Sequence, residues 1–174
     1  MKKCNYWIDK LGLTPHPEGG YYKETYRSDE VFSRSALPDR YCGDRVFSTA
    51  ILFLLKSGQC SHFHRLQTDE IWHYHAGSPL TLHLIAPDDS YTALGLGADP
   101  DNGLAFQRVI KRGSWFGATV SASCKRSDTF SLVGCTLSPG FDFADFELCD
   151  REDLIRQFPA HQEIILKLTR PPAG

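Results

Sequence analysis

The chain is cut into strand-length pieces, and this limits what it can fold into. Residues 21–27, 46–55, 80–86, 106–110, 114–120 and 129–137 are rich in branched and aromatic side chains. Turn-forming groups such as Pro87-Asp88-Asp89 and the glycine-rich stretch 95–103 separate them. The most apolar piece, 46–55, suits a buried strand and is far shorter than the roughly 18 apolar residues of a membrane span. Short strands spaced by turns predict an all-β sandwich or closed barrel. Helical periodicity is confined to the ends. Trp7, Ile8 and Leu11 lie on one side of residues 4–11, Asp150 stands as an N-cap before a short helix, and a second helical run covers 161–168 after Pro159. At 174 residues this predicts one domain over 1–174.

Residues 58–77, GQCSHFHRLQTDEIWHYHAG, hold four of the seven histidines, in two His-x-His pairs around Asp69 and Glu70. His62 and His64 alternate, so a regular strand projects both imidazoles from one face. A second strand starting at Glu70 returns its carboxylate beside them. Two imidazoles and a carboxylate suit iron, manganese, nickel or zinc. The same three groups without metal make a polar lining in which an imidazole beside a carboxylate serves as a general base. His73 and His75 run out of phase with Glu70 and are expected on the outer face, with Trp72 and Tyr74 on the Glu70 side. Alternation in 21–27 separates Tyr22, Glu24 and Tyr26 from Tyr21, Lys23, Thr25 and Arg27, without saying which set looks inward. His16 and Glu18 are expected to organise the turn before Gly19-Gly20.

Gly58, His62-x-His64, Glu70 and Gly77 resemble the first metal-binding motif of the cupins, with a shortened Gly-to-His gap and a lengthened His-to-Glu gap. Three longer segments, 16–28 (HPEGGYYKETYRS), 63–77 (FHRLQTDEIWHYHAG) and 139–148 (PGFDFADFEL), are similar to one cupin branch, domain-of-unknown-function family 985 or cupin 5. The resemblance implies a double-stranded β-helix (jelly-roll) barrel with short N- and C-terminal helices, usually paired as a homodimer. The second cupin motif usually adds a fourth ligand, but Phe116 stands at the matching position and Lys111 replaces the motif's proline. An apolar ring cannot bind a metal, so His62, His64 and Glu70 remain as the metal set, and also as the catalytic set.

Glu24, Arg65, Trp72, Phe116 and Asp142 are candidate ligand-binding residues: two carboxylates for the pocket mouth, aromatic rings for stacking, and a guanidinium for an anion. Arg27 is a second candidate for the anion role. Each also has an ordinary alternative, as core packing or a surface ion pair. Three functions follow. One is a metal-independent isomerase or epimerase acting on a small, polar, sugar-like molecule. The second is an oxygenase-like or isomerising enzyme built on His62, His64, Glu70 and a divalent metal. The third is a barrel that binds a small molecule without turnover. The net charge of −2 speaks against nucleic acid, and no stretch is long enough for a membrane span. Six scattered cysteines with no C-x-x-C pair, and no signal-peptide pattern at the start, are expected of a reducing, cytoplasmic setting.

Overall fold

Alternating side chains make each strand-length piece apolar on at least one face, and two sheets stacked face to face bury those faces together. The computed structural model describes residues 3–121 and 129–171, and Cys124 lies outside them. After helix α1 (Cys4–Leu11) come β1 (Thr14–Pro15), β2 (Tyr21–Arg27), β3 (Val31–Phe32), β4 (Arg45–Val46) and β5 (Thr49–Lys56). The middle holds β6 (Cys60–Leu66), β7 (Glu70–Gly77), β8 (Leu80–Ile85) and β9 (Tyr91–Leu96). Then follow β10 (Gln107–Ile110), β11 (Trp115–Val120), β12 (Phe130–Leu137), β13 (Phe146–Leu148), α2 (Arg151–Gln157) and α3 (Gln162–Lys167).

One sheet has the order β1-β2-β5-β12-β7-β10 and faces a second with the order β13-β6-β11-β8-β9. All the strand pairs are antiparallel. This is the jelly-roll sandwich expected. The core between the sheets contains Phe53, Leu55, Leu66, Trp72, Leu82, Phe116 and Val133. Helices α2 and α3 cover Phe63, Ile85 and Trp115 with Leu154, Phe158, Ile165 and Leu168. Asp150 caps α2 as expected, accepting from the Glu152 and Asp153 amides. Helix α1 packs near Leu54, Phe130 and Leu132.

Three local results differ from the pattern reading. The apolar run 46–55 is two strands, because β4 leaves the main sheet to pair with β3 while Ser48 bonds to the Leu137 carbonyl. Strands β9 and β13 escape the pattern reading: β9 is largely exposed and carries a glycine, and β13 is only three residues long. The excursion 29–45 is pinned to the rest by a buried Arg45–Asp145 pair with two bonds of 2.6 Å. Because Asp145 closes the turn that begins at Asp142, this clasp fixes one rim of the cavity described next.

Candidate functional site

A cavity of about 340 Å³ lies between the sheets, lined from β2, β5, β6, β7, β12 and the 141–146 turn. One of its buried polar groups comes from a residue expected only to shape a turn. Glu18 is 6% exposed, and its carboxylate is gripped from β6. Ser61 donates to Glu18 Oε1 at 2.8 Å, and His64 Nε2 lies 3.1 Å from Oε2. The backbone of His62 donates to the Glu18 carbonyl at 2.7 Å, and His62 Nδ1 donates to the same oxygen at 2.5 Å. Gly19 and Gly20 bring this segment so close to the barrel wall, with φ of 108° and 71°. A Cβ at Gly19 would collide with the Cys60 carbonyl, and one at Gly20 with the Leu54 carbonyl.

Two β-bulges decide which side chains reach the cavity. In β6, Phe116 pairs with His64 and Ala118 with Ser61, so β6 carries one extra residue between them. The bulge breaks the alternation, and both Ser61 and His64 turn toward Glu18 while Phe63 packs under the helices. His62 is not on the cavity lining, which corrects the expectation that both imidazoles share a face. In β2 the register slips between Glu24 and Tyr26. Arg27 therefore joins Tyr22 and Glu24 at the cavity, although alternation assigned it to the opposite face, and Tyr26 is turned out to solvent. Glu24 and Arg27 close a two-bonded pair of 3.0 and 2.7 Å at the rim, and Arg27 also donates to the Phe141 carbonyl at 3.3 Å.

Strand β7 is regular at its start, so Glu70 and Trp72 point inward and Ile71 and His73 outward, as expected. Trp72 Nε1 donates to Glu70 Oε2 at 2.7 Å. Among the described residues Glu70 Oε1 has no partner and is left to the cavity. Asp142 also lines the cavity, its side chain accepting from the Ala144 amide. Phe116 and Arg65 do not line it. Phe116 instead lies behind His64, ring centroids 4.0 Å apart. Arg65 pairs with Glu147 at 2.7 Å and covers the Trp115 ring on the far side of the sheet. His16, another residue read only as a turn former, lines the cavity edge-on to Tyr22, and its Nδ1 accepts from the Glu18 amide.

Burial sets the electrostatics. It pushes Glu70 up to about 8, with the Glu18 charge adding to the rise and the Trp72 bond opposing it. Glu18 is also raised by burial, against His16 and the Ser61 bond. His64 is pulled down to about 4 by burial, against its bond to the His62 carbonyl. Because that carbonyl only accepts, the 2.7 Å contact puts a proton on His64 Nδ1 and leaves Nε2 to face Glu18. His64 Nε2 therefore presents a lone pair to Glu18 Oε2 across 3.1 Å, so the two atoms can hold one proton between them.

The metal set does not assemble. His62 leaves the cavity with its Nδ1 committed to the Glu18 carbonyl, and His64 has one nitrogen on a carbonyl and the other on Glu18. Among the described residues no group of three or more His, Cys, Asp and Glu side chains is placed to hold a metal ion. No described helix is long and apolar enough to cross a membrane. Cys42, Cys60, Cys135 and Cys149 are free thiols.

The family model Cupin_5, described as "Cupin superfamily (DUF985)", matches residues 5–149. A solved Shewanella oneidensis protein, SO0799, is 40% identical, with a TM-score of 0.87 over 98% of this chain and 99% of that one. A hypothetical protein from Leishmania major is 36% identical, with a TM-score of 0.88 over 98% and 100% of the two chains. The uncharacterized yeast protein YML079W (Saccharomyces cerevisiae) is 29% identical over 155 residues, 86% of this chain and 76% of its own.

Proposed function

The chain belongs to the Cupin superfamily (DUF985), and from that premise we propose that its barrel moves a proton on a small carbonyl compound, as an isomerase or epimerase working without a metal. One observation carries this reading: Glu18, His64 and Glu70 line a single cavity, buried and displaced from their ordinary protonation. Such displaced groups mark sites of acid–base work. Glu70, protonated at neutral pH, accepts from Trp72 through Oε2 and offers Oε1–H to the substrate's carbonyl oxygen. The Glu18–His64 pair takes the proton from the adjacent carbon. That proton is held between Glu18 Oε2 and His64 Nε2, the Nδ1–H bond to the His62 carbonyl spreads the charge the imidazole takes on, and Glu70 supports the enolate oxygen. Returning the proton to the other face epimerises that carbon; delivering it to the neighbouring carbon isomerises the compound.

The test is solvent exchange. Carbonyl compounds incubated in D2O with EDTA-dialysed protein are followed by NMR for loss of the α-proton signal. Exchange that survives dialysis and falls about a hundredfold or more in Glu18→Gln supports the reading. Exchange that disappears on dialysis and returns with a divalent cation overturns it in favour of a metalloenzyme. A ligand that stabilises the fold with no exchange in any compound points to a binding barrel.

Ile71 on β7, Val109 on β10 and Phe106 just before it are exposed, which supports the outer face of the six-stranded sheet as the seat of the second copy expected from the resemblance. Light scattering should give a dimer, and a strict monomer sinks this assignment. The free thiols fit a reducing, cytoplasmic setting.

A further inference from the structure

The cavity lining speaks about what enters it. Six aromatic residues, Tyr22, Phe53, Trp72, Phe141, Phe143 and Phe146, contribute to it, along with Ile51, Leu66 and Leu137. The phenylalanines of the turn are mutually edge-on, with Phe141 and Phe143 centroids 5.0 Å apart. Phe143 is 55% exposed at the rim, an apolar ring left half in water where an incoming ring can cover it. The volume, about 340 Å³, is at the small end of the roughly 300–1,000 Å³ typical of small-molecule sites.

The charged groups argue against an anion. Glu18, Glu24, Glu70 and Asp142 line the cavity, and Arg27 is the only lysine or arginine among the described lining residues. Arg27 is already occupied by two bonds to Glu24 and one to the Phe141 carbonyl. The histidines do not replace its charge: His64 is engaged at both nitrogens, and His16, its Nδ1 accepting from the Glu18 amide, offers a single Nε2–H while burial disfavours its charged form. A sugar is also poorly served. Thr49 Oγ1 accepts from the Phe141 amide, which leaves few uncharged polar groups to replace the water around several hydroxyls. Against this wall Glu70 Oε1 has no hydrogen-bond partner among the described residues and is left to the cavity.

We infer that the cavity binds an uncharged planar ring bearing a carbonyl or imine acceptor, with its faces among the aromatic side chains and its acceptor on Glu70. This rests on the proton-transfer reading for the carbonyl's purpose and narrows its substrate from a sugar-like molecule to a cyclic, unsaturated one. The ring comes to rest between Trp72 and the Phe141–Phe146 turn, and the Arg27–Glu24 pair borders the opening.

Calorimetry and thermal shift with 2-quinolone, quinoline-2-carboxylate, glucose and glucose 6-phosphate test it on wild type, Phe143→Ala, Glu70→Gln and Glu70→Leu. We expect 2-quinolone to bind saturably, its carboxylate relative at least about tenfold more weakly, and the two sugars not at all. Phe143→Ala should keep its fold, since the ring is exposed, and lose about tenfold in 2-quinolone affinity. Glutamine at position 70 keeps both the acceptor for Trp72 and a donor for the ring, so Glu70→Gln should bind within about threefold of wild type, while Glu70→Leu loses about tenfold or more. Sugar or anion binding as tight as that of 2-quinolone overturns the inference. So does failure of 2-quinolone to bind the folded wild type at millimolar concentration, or an unchanged affinity in Phe143→Ala. The two readings fail separately: ring binding without proton exchange in any compound removes the chemistry and leaves the ligand class, whereas exchange in a sugar removes the class and leaves the chemistry.

Discussion

The chain spells His-x-His twice, in β6 and in β7, and the two pairs have different fates. In β6 the bulge between Ser61 and His64 divides the pair: His64 enters the cavity against the Glu18 carboxylate, and His62 holds the Glu18 carbonyl from behind. Both serve one residue, Glu18. In β7 the strand is regular through Tyr74, so His73 faces out, bonded to Thr136 Oγ1 at 2.9 Å and to the Gln107 amide at 2.9 Å. The β7 register slips only beyond Tyr74, where His75 is exposed. Identical spacing therefore carries no fixed meaning; one inserted residue in the ladder decides whether a histidine meets the cavity or the solvent.

The sharpest way to break the comparison is at His64. Replacing it with glutamine removes the proton site facing Glu18 while keeping a side chain of similar reach. Exchange of substrate α-protons should fall by about 10²–10⁴, the range for loss of an acid–base group. Retention of exchange in a folded His64→Gln protein would put the inner pair on the same footing as the outer one.

A second test uses pH. The folded pKa of Glu70, about 8, is above its ordinary 4.5, so its neutral form stabilises the fold in acid and that contribution is lost as pH rises through about 8. The folded pKa of His64, about 4, is below its ordinary 6.5, so its contribution is complete above 6.5 and is lost as pH falls through about 4. Between pH 6.5 and 8 only the Glu70 effect of these two changes, and Glu18 is shifted in the same direction. Stability measured by urea unfolding should therefore fall across that window by an amount on the order of 2 kcal/mol. Glu70→Gln should remove most of the slope and, below pH 6.5, leave stability that rises with pH. An unchanged slope in the variant would place Glu70 in water rather than in the cavity wall.

His62→Ala comes next. It deletes one of the two donors to the Glu18 carbonyl and leaves the backbone donor, so it should cost about 1 kcal/mol and slow exchange about fivefold. A loss as large as that of His64→Gln would mean His62 acts on the substrate itself, which its place outside the lining does not provide for.

These contrasts mark what the sequence made legible. Strand-length runs and their turns were enough for a β-sandwich, because alternation and burial are properties of short segments. The inward Glu70 and Trp72 followed from the same rule, since β7 obeys it at that end. Alternation fails at Arg27 and His62 because Arg27 follows a bulge and His62 lies within one, and a bulge is a choice of pairing partner on another strand. Glu18 was hidden for a different reason: its neighbours are Gly19 and Gly20, which read as a turn. Only the approach of that turn to the Cys60 and Leu54 carbonyls carries the carboxylate into the barrel. A Glu followed by two glycines is a signal that the sequence holds, but its meaning depends on packing.

The smallest expected effect is at the outer pair. His73→Ala gives up its bonds to Thr136 and Gln107 on a partly exposed face, so stability should move by about 0.5 kcal/mol or less and exchange should not change. Exchange and light scattering on His73→Ala, beside Ile71→Arg on the same face, separate the possible roles of that surface. Ile71→Arg should shift a dimer toward monomers while each barrel continues to exchange protons, because Ile71 points away from Glu70 across the strand. If either variant slows exchange as much as His62→Ala does, the outer face reports to the cavity through β7. The two His-x-His pairs would then belong to one coupled site, divided only by the thickness of the sheet.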